Sequence, residues 1–205
     1  PKNSFTACCT RGMRVEPPTI TTKLASAPVT ATPLTMACWA KPADTSAARN
    51  LMSICVSGGT ARWQLVYNNG GAVTCTAIDS GGSGSNATAG TAASGSWNHY
   101  CGVWTSDSVR TAYYNGTAGT PTAVSAVVSG VNRTIIGARI NAGSYGLYFN
   151  GDIAECAIWN VALTASEISS LAAGFSPRYI RPASLVFYAP LVGTLLTELG
   201  GWRVV

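Results

Sequence analysis

The chain has 205 residues, the size of one large β-sandwich domain, which is enough for a substantial core. Only 10% of the residues are charged, against about 25% in an average soluble domain. This composition excludes a coiled coil, a disordered chain kept open by charge, and a highly charged tail that binds nucleic acid. No apolar run approaches the roughly 20 residues that span a bilayer, and no signal peptide follows Lys2. We therefore expect neither a membrane nor a nucleic acid among its partners.

The net charge of +5 lies at the two ends of the chain. Residues 1–23 hold four basic side chains against one acidic, residues 24–175 hold six of each sign, and residues 176–205 hold three against one. Clustered charge of one sign steers association, so the ends are candidate anchors on an acidic surface. The alternative is that they only keep a weakly charged protein soluble. The candidate anchoring residues are Lys2, Arg11, Arg14, Lys23, Arg178, Arg181 and Arg203.

Short β-strand patterns follow one another along the chain, separated by Gly and Asn turns such as the one at residues 68–71. Residues 80–96 carry only small uncharged side chains and one Asn, so the pattern leaves open a flexible loop or a weak strand there. This spacing is typical of a sandwich of two antiparallel sheets. The predicted strands cover residues 34–40, 51–56, 62–67, 73–78, 97–104, 110–114, 124–128, 134–136, 148–159 and 185–191.

One short helix is predicted near the C-terminal end. Thr164 and Glu167 have the spacing of a capping box, in which both side chains bind backbone N–H groups at the helix start. Ile168 and Leu171 then share one face, and Gly174 ends the helix. The sequence is therefore divided into an N-terminal strand or arm (1–23), a sandwich (24–175), and a closing strand and tail (176–205).

Five sequence blocks, in order, resemble the laminin-G-like branch of the concanavalin A-like lectin/glucanase superfamily. They are LTMACW at 34–39, WNHYCGV at 97–103, YYNG at 113–116, IG at 136–137 and FNGDIAECAIWN at 149–160. The resemblance spans roughly residues 30–173 and implies an all-β, two-sheet antiparallel jelly roll. The flanks at 3–6 and 181–188 also resemble compact members of this group found in phage-type genomes.

The superfamily includes glycoside hydrolases, whose retaining members need two carboxylates about 5–5.5 Å apart on one side of a sugar. Here Asp152 and Glu155 are the only close carboxylates, and they stand three residues apart on a predicted strand. Side chains alternate along a strand, so this spacing places the two on opposite faces unless a bulge intervenes. We therefore expect no enzymatic activity.

The sequence offers few metal ligands. His99 is the only histidine, and the resemblance implies a structural role for it within a strand. We expect no metal cofactor. The alternative is a calcium site, which the resemblance to lectin-like proteins allows. It would use oxygen ligands, but the loop aspartates Asp44, Asp79 and Asp107 lack ligand-like spacing.

Seven cysteines make an odd number, and five of them lie inside predicted strands beside residues of core type. Unpaired buried thiols suit assembly in a reducing cytoplasm, whereas a secreted protein with three disulfides is the alternative. Cys8 and Cys9, adjacent and near one end, are candidate reactive thiols.

Two functions follow from these observations. The first is a virion structural protein assembled in the host cytoplasm: a capsid decoration (cement) protein that binds the major capsid protein or other virion subunits. Its low surface charge favours self-association into dimers or trimers. The alternative is a carbohydrate-binding module or a receptor-binding fibre domain that recognises surface glycans through the loop aromatics Trp63, Tyr145 and Tyr148.

Overall fold

Two antiparallel sheets pack face to face in a computed structural model of the chain. The structure describes residues 13–15 and 22–191, with side chains from Leu24 onward. The first sheet contains β1 (Met13–Val15), β3 (Leu34–Pro42), β8 (Asn98–Trp104), β9 (Arg110–Tyr114), β10 (Thr117–Ala118), β14 (Gly151–Trp159) and β15 (Leu185–Ala189). The second contains β2 (Thr22–Leu24), β4 (Arg49–Cys55), β5 (Arg62–Tyr67), β6 (Ala72–Ile78), β7 (Gly84–Thr91) and β11 (Arg133–Ile136).

The strand order of the seven-stranded sheet is β1-β14-β3-β8-β9-β10, and β15 also pairs with β14. The order of the six-stranded sheet is β2-β11-β4-β5-β6-β7. A separate hairpin joins β12 (Arg139–Asn141) to β13 (Ser144–Gly146). This architecture confirms the predicted all-β jelly-roll sandwich.

The helix α1 (Ala165–Ala172) begins at Thr164 as predicted. The Thr164 Oγ1 accepts from the Glu167 backbone N–H, and the Glu167 Oε2 accepts from the Thr164 N–H at 2.7 Å. The buried Ile168 and Leu171 fix α1 against the outer face of the seven-stranded sheet. Two 3₁₀ turns, Pro177–Tyr179 and Pro182–Ser184, then lead the chain into β15.

The main core lies between the sheets because alternate strand residues are apolar. Its largest side chains are fully buried, among them Met36 of β3, Trp63 of β5 and Trp104 of β8. The described cysteines are also buried free thiols, as predicted for unpaired core residues. They are Cys38, Cys55, Cys75, Cys101 and Cys156.

Residues 84–91 form the edge strand β7, which is the strand alternative left open for residues 80–96, because Ala87 and Ala89 face the core and are buried. The predicted strand at 124–128 is wrong. The buried Arg110 holds this segment instead, since its guanidinium donates to the Val124 carbonyl at 2.7 Å.

Candidate functional site

The outer face of the six-stranded sheet carries a row of polar side chains. Ser53, Gln64, Thr76 and Asn86 stand opposite one another on four neighbouring strands, β4 to β7. The Thr76 hydroxyl donates to the Asn86 Oδ1 at 2.7 Å, so two members of the row are hydrogen-bonded to each other. We call these four residues the polar row. Ser53, Gln64 and Thr76 are at most 5% exposed, whereas Asn86 is exposed, so the row opens to solvent at Asn86. Fixed polar groups of this kind can orient a small-molecule ligand.

The hairpin β12–β13 packs on this same face, over β4. The side chains of Asn50 and Ser53 donate to the Ala138 carbonyl at 2.6 and 3.2 Å, which fixes the start of the hairpin. A small apolar cluster lies beneath the hairpin, and Tyr145 and Tyr148 pack against it. The cluster comprises Cys55, Ile135, Ala138 and Ile140.

Arg62 connects the hairpin to the polar row. Its Nε donates to the Gln64 Oε1 at 2.8 Å, and its Nη1 donates to the Thr60 carbonyl at 2.7 Å and the Asn141 Oδ1 at 2.8 Å. A guanidinium at the edge of the row thereby holds one amide from β5 and one from β12. We call Arg62, Gln64, Arg139 and Asn141 the hairpin site. Tyr145 lies in the same hairpin, opposite Ile140, and packs against the apolar cluster.

The hairpin site carries positive charge without a negative partner in the described chain. Burial, and secondly the positive charge of Arg139, lower the pKa of Arg62 to about 10. Burial alone lowers the pKa of Arg139. The ion pairs among the described residues are Lys41–Asp152, Arg49–Asp44 and Arg181–Glu167. With a pKa of about 10 Arg62 is charged at neutral pH, and no described carboxylate forms an ion pair with Arg62 or Arg139.

The three predicted glycan-binding aromatics have different environments. Trp63 is 0% exposed and faces the core, so the prediction that it stacks on a sugar is wrong. Its position follows from strand parity, since Arg62 and Gln64 on either side point outward. Tyr145 lies in β13 of the hairpin and Tyr148 just after it; both are half-buried and remain predicted contact residues.

Four members of the site were not predicted from the sequence: Arg62, Gln64, Arg139 and Asn141. A signal for the first two exists, because polar and apolar residues alternate through Arg62-Trp63-Gln64-Leu65. No comparable local signal marks Arg139 and Asn141. They reach the site only because the hairpin folds back over the sheet.

The outer face of the seven-stranded sheet is instead covered by apolar packing. Trp159 is fully buried there with the side chains of α1, and its Nε1 donates to the Ile180 carbonyl at 2.7 Å. His99 is buried beside Trp39 on this face, with ring centroids 5.6 Å apart. Burial lowers the pKa of His99 to about 3, so the ring is neutral at physiological pH. This environment matches the structural role that the sequence predicted for His99.

The prediction that Asp152 and Glu155 point to opposite faces is wrong. A β-bulge interrupts the pairing of β14 with β3 between Ala154 and Ala157, and Glu155 has a φ of 53°. The extra residue shifts the alternation, so Glu155 lies on the outer face and accepts from the Tyr188 hydroxyl at 2.7 Å. Asp152 instead pairs with Lys41 at 3.8 Å. Each carboxylate thus has its own partner.

The three loop aspartates stand apart and are engaged locally. Asp44 accepts from Ser46 and Asn150, Asp79 accepts from the Ser83 backbone, and Asp107 accepts from the Thr32 hydroxyl. Residues 22–191 hold no group of three acidic, histidine or cysteine side chains placed to share a metal ion. Within the same part of the chain, no helix has the length and apolarity to cross a membrane.

The candidate anchoring residues are only partly described. Lys2, Arg11 and Arg203 lie outside the described residues. Arg14 lies in β1 and Lys23 in β2, at positions whose side chains are not described. Arg178 lies over the Tyr188 ring at 5.0 Å, and Arg181 pairs with Glu167. Cys8 and Cys9, the candidate reactive thiols, also lie outside the described residues.

The chain belongs to the concanavalin A-like lectin/glucanases superfamily, since a family model with that description matches residues 19–169. This confirms the resemblance drawn from the five sequence blocks. No curated protein sequence matches the chain.

Solved structures share the fold at low sequence identity. A heptameric pentraxin from Limulus polyphemus is 18% identical with a TM-score of 0.62, and the match covers 82% of each chain. The sialidase module CBM40 of Ruminococcus gnavus is 14% identical with a TM-score of 0.64, over 79% of this chain and 96% of the module. Domain 4 of a Geobacillus stearothermophilus arabinanase, solved with arabinotriose, is 21% identical with a TM-score of 0.58, over 73% and 71%. Carbohydrate-binding modules are thus among the structural neighbours.

Proposed function

We propose that this protein is a non-catalytic carbohydrate-binding domain and that sugars bind on the polar row beside the hairpin site. One observation carries the proposal: the outer face of the six-stranded sheet holds a hydrogen-bonded row of polar side chains that opens to solvent at Asn86, and the half-buried Tyr145 lies in the hairpin that packs on the same face. Sugars are recognised by such fixed polar groups next to an aromatic surface. The neighbouring CBM40 module has been solved with sialyllactose, which supports the same class of ligand.

A non-catalytic role is supported by the arrangement of the acidic side chains. Asp152 and Glu155 are engaged with Lys41 and Tyr188 on the other sheet, away from the polar row. Burial raises the pKa of Glu155, with a smaller opposing effect of its hydrogen bond from Tyr188. Neither the polar row nor the hairpin site contains a carboxylate for acid–base chemistry.

The test is a binding screen of the full chain against immobilised glycans, including lactose, sialyllactose and arabinotriose. We expect Tyr145→Ala to weaken the strongest interaction by about tenfold, equivalent to about 1.4 kcal/mol. The matched control is Tyr179→Ala, because Tyr179 is 80% exposed in the turn after α1, away from the hairpin. Equal losses in both variants, or no glycan bound by the wild-type chain, would overturn the proposal.

The second candidate is a virion surface subunit, such as a capsid decoration protein assembled in the host cytoplasm. It is favoured by an exposed surface near α1 that combines Phe175 and Tyr179, 59% and 80% exposed, with Arg178 and Arg181. Exposed aromatics next to basic side chains are typical of protein-binding surfaces. In this function the surface binds the major capsid protein, and the copies associate as dimers or trimers.

Co-sedimentation with purified phage particles tests this second candidate. Stoichiometric binding by the wild-type chain is expected, and the double change Arg178→Glu with Tyr179→Ala should reduce it at least tenfold. The Tyr145→Ala variant is the control and should bind particles normally. Particle binding that survives the double change would contradict the assignment of this surface.

A further inference from the structure

We propose that the hairpin site selects carboxylate-bearing sugars, such as uronic or sialic acids, over their neutral counterparts. This inference rests on the proposed carbohydrate-binding function and specifies its ligand class. It is based on two observations: the amide oxygens that accept hydrogen bonds from Arg62, and the N–H donors nearby that have no partner in the described part of the chain.

Arg62 fixes the orientation of two amide side chains. A guanidinium only donates hydrogen bonds, so it must meet Gln64 and Asn141 through their oxygen atoms. Both contacts are 2.8 Å long, to the Gln64 Oε1 and the Asn141 Oδ1. The acceptors of both amides are thereby used, and their NH₂ groups remain.

The atoms left over are all donors. The Arg62 Nη2, the Gln64 Nε2 and the Asn141 Nδ2 form no hydrogen bond among the described residues. None of the three is a fully buried atom without a partner, so each keeps a small contact with solvent, and as whole residues Arg62 and Gln64 are 4% and 5% exposed. Arg139 adds a second guanidinium that has no ion pair within the described chain. The site therefore presents donors and positive charge together, without a free amide oxygen.

A carboxylate matches this arrangement. It has two oxygens that accept in parallel from a guanidinium, and charge-assisted hydrogen bonds of this kind are stronger than neutral ones. Two neighbouring guanidinium groups repel each other when no acidic side chain lies between them. A bound anion offsets this repulsion and is therefore stabilised. The hydroxyl groups of the same sugar would then meet Thr76 and Asn86 in the polar row.

The experiment measures calorimetric binding of matched acid and ester pairs to the full chain. The probes are tetragalacturonate with its methyl ester, and sialyllactose with its methyl ester, so that uronic and sialic acids are distinguished. We expect at least one acid to bind about tenfold or more tightly than its ester, as charged hydrogen bonds require. Sulfated lactose is the third arm, and tighter binding of it than of either acid would overturn the carboxylate assignment.

Two variants locate the effect. Arg139→Gln removes one positive charge and should bring the ratio of acid to ester affinity close to one. Asn141→Asp should also bring this ratio close to one, and its carboxylate still accepts the hydrogen bond from Arg62. The second variant adds an ion pair to Arg62, so a rise in thermal stability shows that it folds. Arg178→Gln removes the same charge from the distant surface near α1 and should leave the ratio unchanged.

The outcomes separate the two proposals. Equal binding of acid and ester with dependence on Tyr145 overturns the carboxylate preference but keeps the carbohydrate-binding function. If Arg178→Gln lowers the acid-to-ester binding ratio as much as Arg139→Gln does, the preference for acids comes from net charge alone. That result also overturns the inference. Absence of binding to every probe, including the neutral glycans, overturns both proposals.

Discussion

The two outer faces of the sandwich differ in what covers them. On the seven-stranded sheet, α1 and the segment leading to β15 bury Trp159, Cys101 and Val103 in a second apolar cluster. Among the described residues, a short hairpin covers part of the six-stranded sheet, and the polar row beside it is exposed at Asn86 and buried at Gln64 and Thr76.

This difference shows how one fold separates stability from recognition. Apolar burial of the first face adds to the free energy of folding in proportion to the area removed from water. The second face buries less apolar surface but holds polar groups in a fixed pattern, because the rigid sheet positions them. Changes on the first face should therefore affect mainly stability, and changes on the second mainly binding.

The largest effect is expected on the covered face. Trp159→Ala should lower the free energy of unfolding by about 3–5 kcal/mol, since it removes a fully buried ring and its hydrogen bond to Ile180. Urea denaturation measures this change, with Tyr145→Ala on the other face as comparison. The loss for the half-buried Tyr145 should be at most half as large. Equal losses would show that the hairpin face is also a major source of stability.

The second-largest effect on stability is expected from the buried hydrogen bonds of Arg110, at the margin of the sandwich where β9 lies near β7. Arg110 is fully buried and donates to the carbonyls of Ser85, Asp107 and Val124. Arg110→Met leaves these acceptors without a donor and should cost about 3 kcal/mol or more in unfolding free energy. The exposed Arg178 provides the control, since Arg178→Met should change stability by about 0.5 kcal/mol or less.

A pH effect of intermediate size is expected from the covered face. Folding lowers the pKa of His99 from 6.5 to about 3. Between these two pH values His99 is protonated in the unfolded chain and neutral in the folded chain. Stability should be complete above pH 6.5 and fall with decreasing pH by up to about 1.4 kcal/mol per unit. Urea denaturation between pH 7.5 and 5 should show a shallower dependence in His99→Leu. An equal pH dependence of stability in the wild-type chain and in His99→Leu would mean that His99 takes up its proton in the folded chain as readily as in the unfolded chain.

The smallest stability effect is expected on the polar row. Asn86→Ala removes an exposed side chain of β7 and should change the unfolding free energy by about 0.5 kcal/mol. The same variant should weaken glycan binding severalfold, because its amide lies in the row. Thr88→Ala, two residues along the same strand and also exposed, is the matched control for binding. A stability loss above 2 kcal/mol for Asn86→Ala would remove the contrast between the two faces.

Sequence patterns predicted the elements of the fold well where they depend on local chemistry. The capping box at Thr164, the turn at 68–71 and the strand ending at Trp159 are all present. The bulge at Glu155 was not predictable, because a non-glycine residue with positive φ carries no sequence signature. That single residue reversed the expected facing of Glu155.

The candidate site was predictable only in part. Tyr145 and Tyr148 were predicted as loop aromatics, and the structure places Tyr145 in β13 of the hairpin and Tyr148 just after it. The prediction for Trp63 was wrong, although Trp63 and Leu65 stand two residues apart on one strand and therefore face the same side, which is the core. The contact between Arg62 and Asn141 joins residues 79 apart in the chain, and such distant pairs have no local pattern.

The way in which β14 pairs with β1 and β15 has a practical consequence. Both strands run in the same direction along one edge of β14, with Ala189 opposite Cys156 and Met13 opposite Ile153. Three residue steps, about 10 Å, therefore separate the end of β15 from the start of β1. A short peptide linker across this gap, in place of residues 190–205 and 1–12, would produce a circular permutant of residues 13–189 with new chain ends in the exposed turn at residues 80–83.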